Sequence, residues 1–278
     1  MKFHRACLAG FSAVVLAAGC GGDGGTGLNA DFTLPDIAGT WEASEFKFTS
    51  KSNTAVSVDI VALGGDATLT VAGDGSYSLV SLVPGRAIDV VKGELSVEDG
   101  TIVVSESGGA GNRMVFQAGL SDNTLTMATG DAEFDFINNG NEEPANLQIV
   151  WKRATGTTVA DLEGTWEASV FRFISLPVRA DTVDVIADGG SLTVMISDDA
   201  SYSVGIAEPD ELPLLATGTV LIDEGRLILI GGLGPDGPQV FNFELAGDTL
   251  SLEGEGEFDF DADGVDDPAI VEAVLERQ

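Results

Sequence analysis

Histidine and cysteine are almost absent from this 278-residue sequence. The one histidine is His4, and the two cysteines are Cys7 and Cys20. Beyond residue 20 the chain therefore has no histidine to act as a base, no thiol nucleophile, no disulfide and no zinc site of the usual His/Cys kind. Paired carboxylates could still do acid–base chemistry, but nothing singles out a pair among 45 acidic residues. We expect a protein that is not an enzyme.

Basic residues are also scarce. The chain has 13 lysines and arginines against 45 aspartates and glutamates, a formal charge of −32. Phosphate binding needs clustered lysine and arginine side chains, so we expect no nucleic-acid partner. Anionic lipid headgroups would be repelled for the same reason. Two tyrosines and three tryptophans are too few for the aromatic girdles of a transmembrane β-barrel.

The N-terminal segment has the features of a secretory signal. A positive start at Lys2 and Arg5 precedes a short apolar run over 6–18, and small residues precede Cys20 in LAAGC. The run resembles the lipobox of bacterial lipoproteins, except that an alanine stands where the family more often has leucine. The resemblance implies acylation of Cys20, which would anchor the chain to a membrane. No aspartate follows this cysteine, which favours the outer membrane of a bacterial cell envelope. An ordinary cleaved signal is the alternative.

The body of the chain contains two copies of one unit. DIAGTWEASEFKF at 36–48 recurs as DLEGTWEASVFRF at 161–173, an offset of 125, whereas EFDF at 133–136 recurs at 257–260, an offset of 124. The predicted organisation is a signal peptide at 1–19, a flexible tether at 20–35, a first domain at 36–153, a linker at 154–160 and a second domain at 161–278.

Each unit has the pattern of a β-meander. Runs such as LTVAGDGSYSL and LSVEDGTIVV alternate apolar and polar residues on both sides of Asp-Gly turns, which is the signal of β-hairpins. We predict an all-β fold of two tandem antiparallel up-and-down β-barrels with about eight strands each. No stretch has a clear helical period, and residues 269–276 are ambiguous.

The two ends of each unit resemble a known family. Each unit opens on Gly-Thr-Trp and closes near a basic residue; the pairs are Trp41 with Arg153 and Trp166 with Arg277. This pattern is similar to that of lipocalins and of the lipocalin-like domains of bacterial lipoproteins, and it covers nearly all of both units. The resemblance implies that each arginine stacks on its tryptophan at the closed end of a barrel, a structural role.

A candidate ligand pocket lies in the first strand of each unit, where the alternation changes phase. Trp41 and Ala43 share one parity, while Phe46 and Phe48 have the other, and the second copy repeats this. A bulge between them would bring both sets inside the barrel. The predicted pocket is aromatic, crossed by a basic residue and suited to an apolar ligand with an acidic head; its residues are Phe46, Lys47, Phe48, Phe171, Arg172 and Phe173. The alternative is an ordinary core with the basic residue exposed.

An acidic loop in the second copy is a candidate calcium site. DFDADGVDDP at 259–268 resembles the start of a calcium loop, in which alternating oxygen ligands surround a hard cation. An EF-hand itself is excluded because Ile270 stands where its bidentate glutamate belongs. The candidate ligands are Asp259, Asp261, Asp263, Asp266 and Asp267. Alternatively, these are solvated aspartates in an exposed turn, which repel one another only weakly in water. The first copy, DFINNGNEEP at 135–144, lacks two of the carboxylates.

These observations leave two functional hypotheses. The first is a membrane-anchored, non-enzymatic lipoprotein that binds or carries a small hydrophobic ligand in its barrels. The second is a structural or interaction module of the cell envelope, with barrels filled by side chains and possible stiffening by calcium. No motif in the sequence identifies the ligand or a protein partner.

Overall fold

The computed structural model describes residues 32–83, 87–107, 113–137, 139–176, 181–208, 213–223, 225–232, 237–261 and 263–278. The chain divides into two compact units on either side of the Ala154–Thr155 bond. The predicted signal peptide, Cys20 and most of the predicted tether lie outside the described residues.

Unit 1 is a closed antiparallel barrel. Strand β1 pairs with β3 through its first four residues and with β9 along most of its length, and the strands from β3 to β9 pair in chain order. The short strand β2 pairs with the second half of β1 and is an addition to the eight-stranded barrel. The strands are β1 Gly39–Ser50, β2 Ser57–Asp59, β3 Asp66–Val71, β4 Ser76–Leu82, β5 Asp89–Glu98, β6 Thr101–Glu106, β7 Arg113–Ser121, β8 Thr124–Phe134 and β9 Glu143–Arg153.

Unit 2 has the same topology, with β10 closing the barrel against β18 and β11 as the additional strand. The predicted fold class of two tandem antiparallel β-barrels is therefore confirmed. The ambiguous residues 269–276 belong to the last strand. The strands are β10 Gly164–Ser175, β11 Thr182–Asp184, β12 Ser191–Ile196, β13 Ser201–Ala207, β14 Leu214–Asp223, β15 Arg226–Ile230, β16 Gln239–Ala246, β17 Thr249–Phe258 and β18 Asp267–Arg277.

A single helical turn precedes the first strand of each unit: α1 Leu34–Ile37 and α2 Val159–Leu162. In α1 the Asp36 carboxylate accepts hydrogen bonds from the backbone N–H and the hydroxyl of Thr33, 2.8 and 2.7 Å long. Threonine and aspartate three residues apart form a capping arrangement that satisfies N–H groups at a helix start. The same Thr-x-x-Asp spacing recurs in α2. These turns were not predicted, because four residues are too few to show a helical period.

The inward-facing residues of each barrel form one apolar core. The core of unit 1 begins at Phe32, ahead of residue 36, and that of unit 2 begins at Val159. The largest side chains that are fully buried in these two cores are Trp41, Trp151, Ile37, Ile102 and Leu125 in unit 1, and Trp166, Leu162, Leu227, Leu250 and Leu275 in unit 2. Burial of such side chains is the main stabilising contribution to each fold.

A one-residue bulge explains why the repeat offset changes from 125 to 124. Strand β8 shifts register between Thr129 and Ala132, whereas β17 pairs with β18 without interruption. The extra residue in β8 restores the inward parity of the residues that follow it. In β17 the inward positions at this level are Gly254 and Gly256, and a Cβ on Gly256 would lie 2.5 Å from a Val271 methyl group.

Candidate ligand-binding site

The predicted bulge is present in the first strand of both barrels. In unit 1 the register of β1 against β9 shifts between Ala43 and Glu45. The Ser44 hydroxyl at this point donates a 3.0 Å hydrogen bond to the carbonyl oxygen of Val150, which anchors the bulge. Strand β10 has the same shift between Ala168 and Val170. Because one residue is added, the inward parity changes along each strand.

The bulge places Phe46 and Phe48 on the inner face of barrel 1. They pair across the sheet with Ile149 and Leu147, which are buried core residues. In barrel 2, Phe171 and Phe173 have the equivalent positions; Phe171 is a buried core residue, and Phe173 is partly buried and packs against that core.

These phenylalanines form a ladder of rings with Phe134, the last residue of β8, and Phe136 in the β8–β9 connection. In barrel 1 the ring centroids of Phe46 and Phe48 are 5.5 Å apart, those of Phe48 and Phe134 are 4.3 Å apart, and those of Phe134 and Phe136 are 5.1 Å apart. All four rings are partly exposed and pack against the core. We call the end of the barrel where β1 and β8 stop the mouth, and the ladder lines it.

Barrel 2 repeats this ladder at its own mouth, where β10 and β17 stop. The centroid distances are 5.1 Å between Phe171 and Phe173, 4.7 Å between Phe173 and Phe258, and 5.2 Å between Phe258 and Phe260. Phe134, Phe136, Phe258 and Phe260 were not among the predicted pocket residues. The repeated EFDF motif with its alternating phenylalanines was the signal that could have found them.

The basic residues of the predicted pocket lie on the opposite face of the strand from the phenylalanines. Lys47 pairs with the exposed Gln148, and Arg172 pairs with Glu272 on the outside of the sheet. The Arg172 Nε lies 3.3 Å from a Glu272 carboxylate oxygen. The structure therefore does not bring Lys47 or Arg172 together with the phenylalanine ladder. Side chains alternate between the two faces of a strand, so the residue between two inward phenylalanines points outward.

The opposite end of barrel 1 is closed by Trp41 and Arg153. The guanidinium carbon of Arg153 lies 4.2 Å from the Trp41 ring centroid. The indole N–H of Trp41 donates to the carbonyl oxygen of Ile37 at 2.8 Å, and the guanidinium donates to the carbonyl oxygens of Asp36 and Ala38 at 2.7 and 2.8 Å. These bonds satisfy carbonyl groups at the end of α1 and hold that turn across the barrel end.

Barrel 2 is closed in the same way by Trp166 and Arg277, with the guanidinium carbon 4.2 Å from the ring centroid. The Trp166 indole N–H donates to the carbonyl oxygen of Leu162 at 2.8 Å, and the guanidinium donates to the carbonyl oxygens of Asp161 and Glu163. In both units these side chains have bonded partners from the chain itself, which indicates a structural role.

Each barrel also contains one inward tyrosine. Burial, with a smaller contribution from the charge of Glu106, raises the pKa of Tyr77 to about 12. Burial also raises the pKa of Tyr202, whose hydroxyl donates to the carbonyl oxygen of Gly231. Each phenol thus stays neutral at physiological pH and serves as part of the core.

The acidic loop of unit 2 brings together three of the five predicted calcium ligands. One carboxylate oxygen of each of Asp259, Asp261 and Asp263 lies within 4.8 Å of the others. Asp266 is exposed in the following turn, and Asp267 begins β18. Calcium binds six to eight oxygen ligands at 2.3–2.6 Å, so the three carboxylates could supply part of a coordination shell.

The closure of this loop does not depend on the aspartates that distinguish it from unit 1. The two Asp259 carboxylate oxygens accept backbone N–H groups of Asp263 and Gly264, at 3.1 and 2.8 Å. In unit 1, Asp135 accepts the equivalent groups of Asn139 and Gly140 at 3.1 and 2.6 Å. The same turn therefore forms in both copies, and calcium binding at the unit 2 loop stays a prediction.

No protein-family model matches the chain, and no curated protein matches it. Among solved structures, the chain is similar to a protein of unknown function from the DUF3598 family of Nostoc punctiforme PCC 73102, with 14% sequence identity and a TM-score of 0.28. The match covers 88% of this chain and 97% of that chain. Among the described residues, no helix is long and apolar enough to cross a bilayer.

Proposed function

We propose that this protein binds a small hydrophobic ligand at the mouth of its barrels and has no catalytic role. The observation that carries the proposal is the ladder of four phenylalanines that each repeat has at the end opposite the Trp–Arg closure. All of these rings are partly exposed except that of Phe171, which is buried. Ligand sites are typically concave and lined by apolar and aromatic side chains, and eight-stranded barrels can hold one small ligand.

Exposed apolar residues at the mouths support this proposal. Large hydrophobic side chains in the loops and strand ends of each mouth remain accessible to solvent. Such clusters on a soluble domain commonly mark binding surfaces. They are Val56 and Ile137 in unit 1, and Leu176, Leu214 and Val265 in unit 2.

The core limits where the ligand can lie. Fully buried side chains fill the closed end of each barrel, up to the level of Trp151 in barrel 1 and Leu275 in barrel 2, so the ligand would contact the ladder between that level and the mouth. The same filled core supports the second hypothesis, a structural or interaction module of the cell envelope. Ligand binding distinguishes the two hypotheses, because a module with filled barrels would bind no apolar probe.

We also propose that the chain is exported and anchored to the outer membrane through a lipid on Cys20. The support is the sequence of the N-terminal segment, with its positive start and the run LAAGC. Mass spectrometry of the protein purified from cells should find a diacylglycerol-modified Cys20 as the first residue. A Cys20→Ser variant should lose the lipid and leave the membrane fraction. An unmodified Cys20 in the wild type would contradict the proposal.

The test of ligand binding uses the fluorescence of N-phenyl-1-naphthylamine, an apolar probe that brightens in a dry site. We expect saturable binding to the wild-type protein. The double variant Phe134→Ala/Phe258→Ala removes one central ladder ring from each barrel and should weaken binding about tenfold, which corresponds to about 1.4 kcal/mol. These rings are partly exposed, so their removal should leave both units folded.

The matched control is Val115→Ala, which removes an exposed apolar side chain from the outer face of β7. It should bind the probe as the wild type does. Absence of probe binding to the wild type would overturn the ligand-binding function and favour the structural module. Equal loss of binding in the control would show that the probe binds the outer surface.

A further inference from the structure

Barrel 1 contains an unpaired hydrogen-bond donor at the inner end of its aromatic ladder. Trp151 lies on the inner face of β9, opposite Ala43 of β1 and Leu125 of β8, and is 1% exposed. Its indole N–H is buried and has no hydrogen-bond acceptor among the described residues. Buried N–H groups are nearly always bonded, and leaving one unpaired is unfavourable.

The other two tryptophans and the second barrel show that this arrangement is particular to barrel 1. The indole N–H groups of Trp41 and Trp166 each donate to a backbone carbonyl oxygen at 2.8 Å. In barrel 2 the position equivalent to Trp151 is Leu275, opposite Ala168 and likewise buried. The fold therefore does not require a tryptophan at this position, and leucine fills it without a polar group.

A continuous series of rings leads from the mouth of barrel 1 to Trp151. The centroid of the Trp151 ring lies 6.4 Å from that of Phe46, the innermost phenylalanine of the ladder. The ladder then continues through Phe48 and Phe134 to Phe136 at the mouth. An elongated apolar molecule lying along these rings would have one end at the indole N–H. An indole is a hydrogen-bond donor only, so that end must carry an acceptor.

The charges around the barrel decide between a neutral and an anionic acceptor. Lys47, the cation expected to pair with an acidic head, lies on the outer face of the sheet. Arg153 has inward parity, but it is stacked on Trp41 and bonded to two carbonyl oxygens at the closed end. Among the residues that the structure describes, a carboxylate buried beside Trp151 would have no cation to pair with, and burying an unpaired charge is strongly unfavourable.

We propose that barrel 1 selects a neutral amphiphile, a long-chain alcohol or ester, whose oxygen accepts a hydrogen bond from Trp151 Nε1–H while its chain lies along the phenylalanine ladder. Barrel 2 lacks the donor and binds apolar chains without this preference. This inference rests on the proposed ligand-binding function. The ligand head group expected from the sequence was acidic, and the inference replaces it with a neutral one, because Lys47 and Arg172 lie on the outer faces of the barrels.

The test compares two probes of equal chain length, 1-dodecanol and dodecanoate, at a pH where the acid is ionised. On ¹⁵N-labelled full-length protein purified from cells, 1-dodecanol should move the indole N–H resonance of Trp151 and leave those of Trp41 and Trp166 in place. Trp151→Phe assigns the resonance and keeps an aromatic ring. It should weaken 1-dodecanol binding at the barrel 1 site about tenfold, which is more than it weakens the binding of N-phenyl-1-naphthylamine, a probe that carries no oxygen acceptor.

Trp151→Leu, the residue found in barrel 2, gives a second variant if the phenylalanine variant does not fold. If N-phenyl-1-naphthylamine binds but dodecanoate binds as tightly as 1-dodecanol, or the Trp151 resonance does not respond, the inference is overturned and the proposed function stands. A persistent contact between Trp151 Nε1–H and water in the presence of 1-dodecanol would also overturn it. If no probe binds, both the inference and the proposed function fail.

Discussion

The guanidinium of Arg153, from the last strand of unit 1, stacks 4.2 Å from the ring centroid of Trp41, from the first strand. The two residues are 112 positions apart in the chain and form one pair at the seam where β1 meets β9. The contact closes one end of the barrel and leaves the phenylalanine ladder at the other. This polarity is what gives each barrel a single candidate mouth.

Arg153→Met should destabilise unit 1. The variant loses the cation–π contact, worth about 0.5–2 kcal/mol, and two hydrogen bonds to the carbonyl oxygens of Asp36 and Ala38. We expect the free energy of unfolding to fall by about 2 kcal/mol, measured by urea denaturation. The control is Arg113→Met, which removes an exposed ion pair with Glu98, 3.8 Å long. It should lower the free energy of unfolding by at most about 0.5 kcal/mol. Equal effects of the two substitutions would contradict the closure role.

Gly93→Ala adds only one methyl group, but it should destabilise unit 1 substantially. Gly93 pairs with Tyr77 across the sheet, and a Cβ at this position would lie 1.9 Å from the carbonyl oxygen of Ser105. Since the backbone must shift to relieve the clash, we expect a loss of about 1–3 kcal/mol. Gly73→Ala is the matched control, because its Cβ would meet nothing within 4 Å, and it should change stability by less than about 0.5 kcal/mol. Similar thermal unfolding of both variants would refute this prediction.

Stability should fall at alkaline pH because of Tyr77. Its pKa is raised to about 12 by burial and by the charge of Glu106, whereas an unfolded tyrosine ionises near about 10. The unfolded chain therefore loses its phenol proton first, and the stabilisation is full below about pH 10 and is lost as the pH rises toward about 12. Urea unfolding across this range should show a decrease of about 2 kcal/mol. Tyr77→Phe should flatten this slope, and an unchanged slope would assign the loss to other groups.

Calcium should bind the acidic loop of unit 2 if the predicted site forms. Titration calorimetry should show one site, and a calcium concentration of one hundred times the dissociation constant should stabilise the protein by about 2.7 kcal/mol. Asp261→Asn/Asp263→Asn should abolish binding, while Asp259 is left to close the turn. The control Asp198→Asn changes an exposed aspartate in the β12–β13 turn. A wild type that releases no heat with calcium would show that the loop is a solvated turn.

Much of the fold could be predicted from local patterns. Alternating residues and Asp-Gly turns indicate hairpins directly, and the phase change after Ala43 predicts the bulge that the structure contains. The short helical turns α1 and α2 could not be predicted from periodicity. The bulge between Thr129 and Ala132 was visible as a change of offset, but only the pairing with β9 shows which residue is added.

The site was less predictable, because its residues come from different strands. Phe46 and Phe48 could be identified within β1, yet their contact with Phe134 depends on which strands meet at the mouth. The face on which Lys47 lies depends on the position of the bulge, because adding or removing one residue before Lys47 would move its side chain to the other face of the sheet. The sequence alone also could not show that the Trp151 indole N–H has no partner, since this requires the positions of all nearby acceptors.

The sequence by itself determined the all-β class, the duplication and the absence of histidine and cysteine from the body of the chain, since these depend on composition and local period. The tertiary structure decided which ring stacks on which, which end of each barrel is closed and which cations lie outside. Those features arise when β1 pairs with β9 and β10 with β18, and pairing between residues far apart in the chain is not encoded in any one segment.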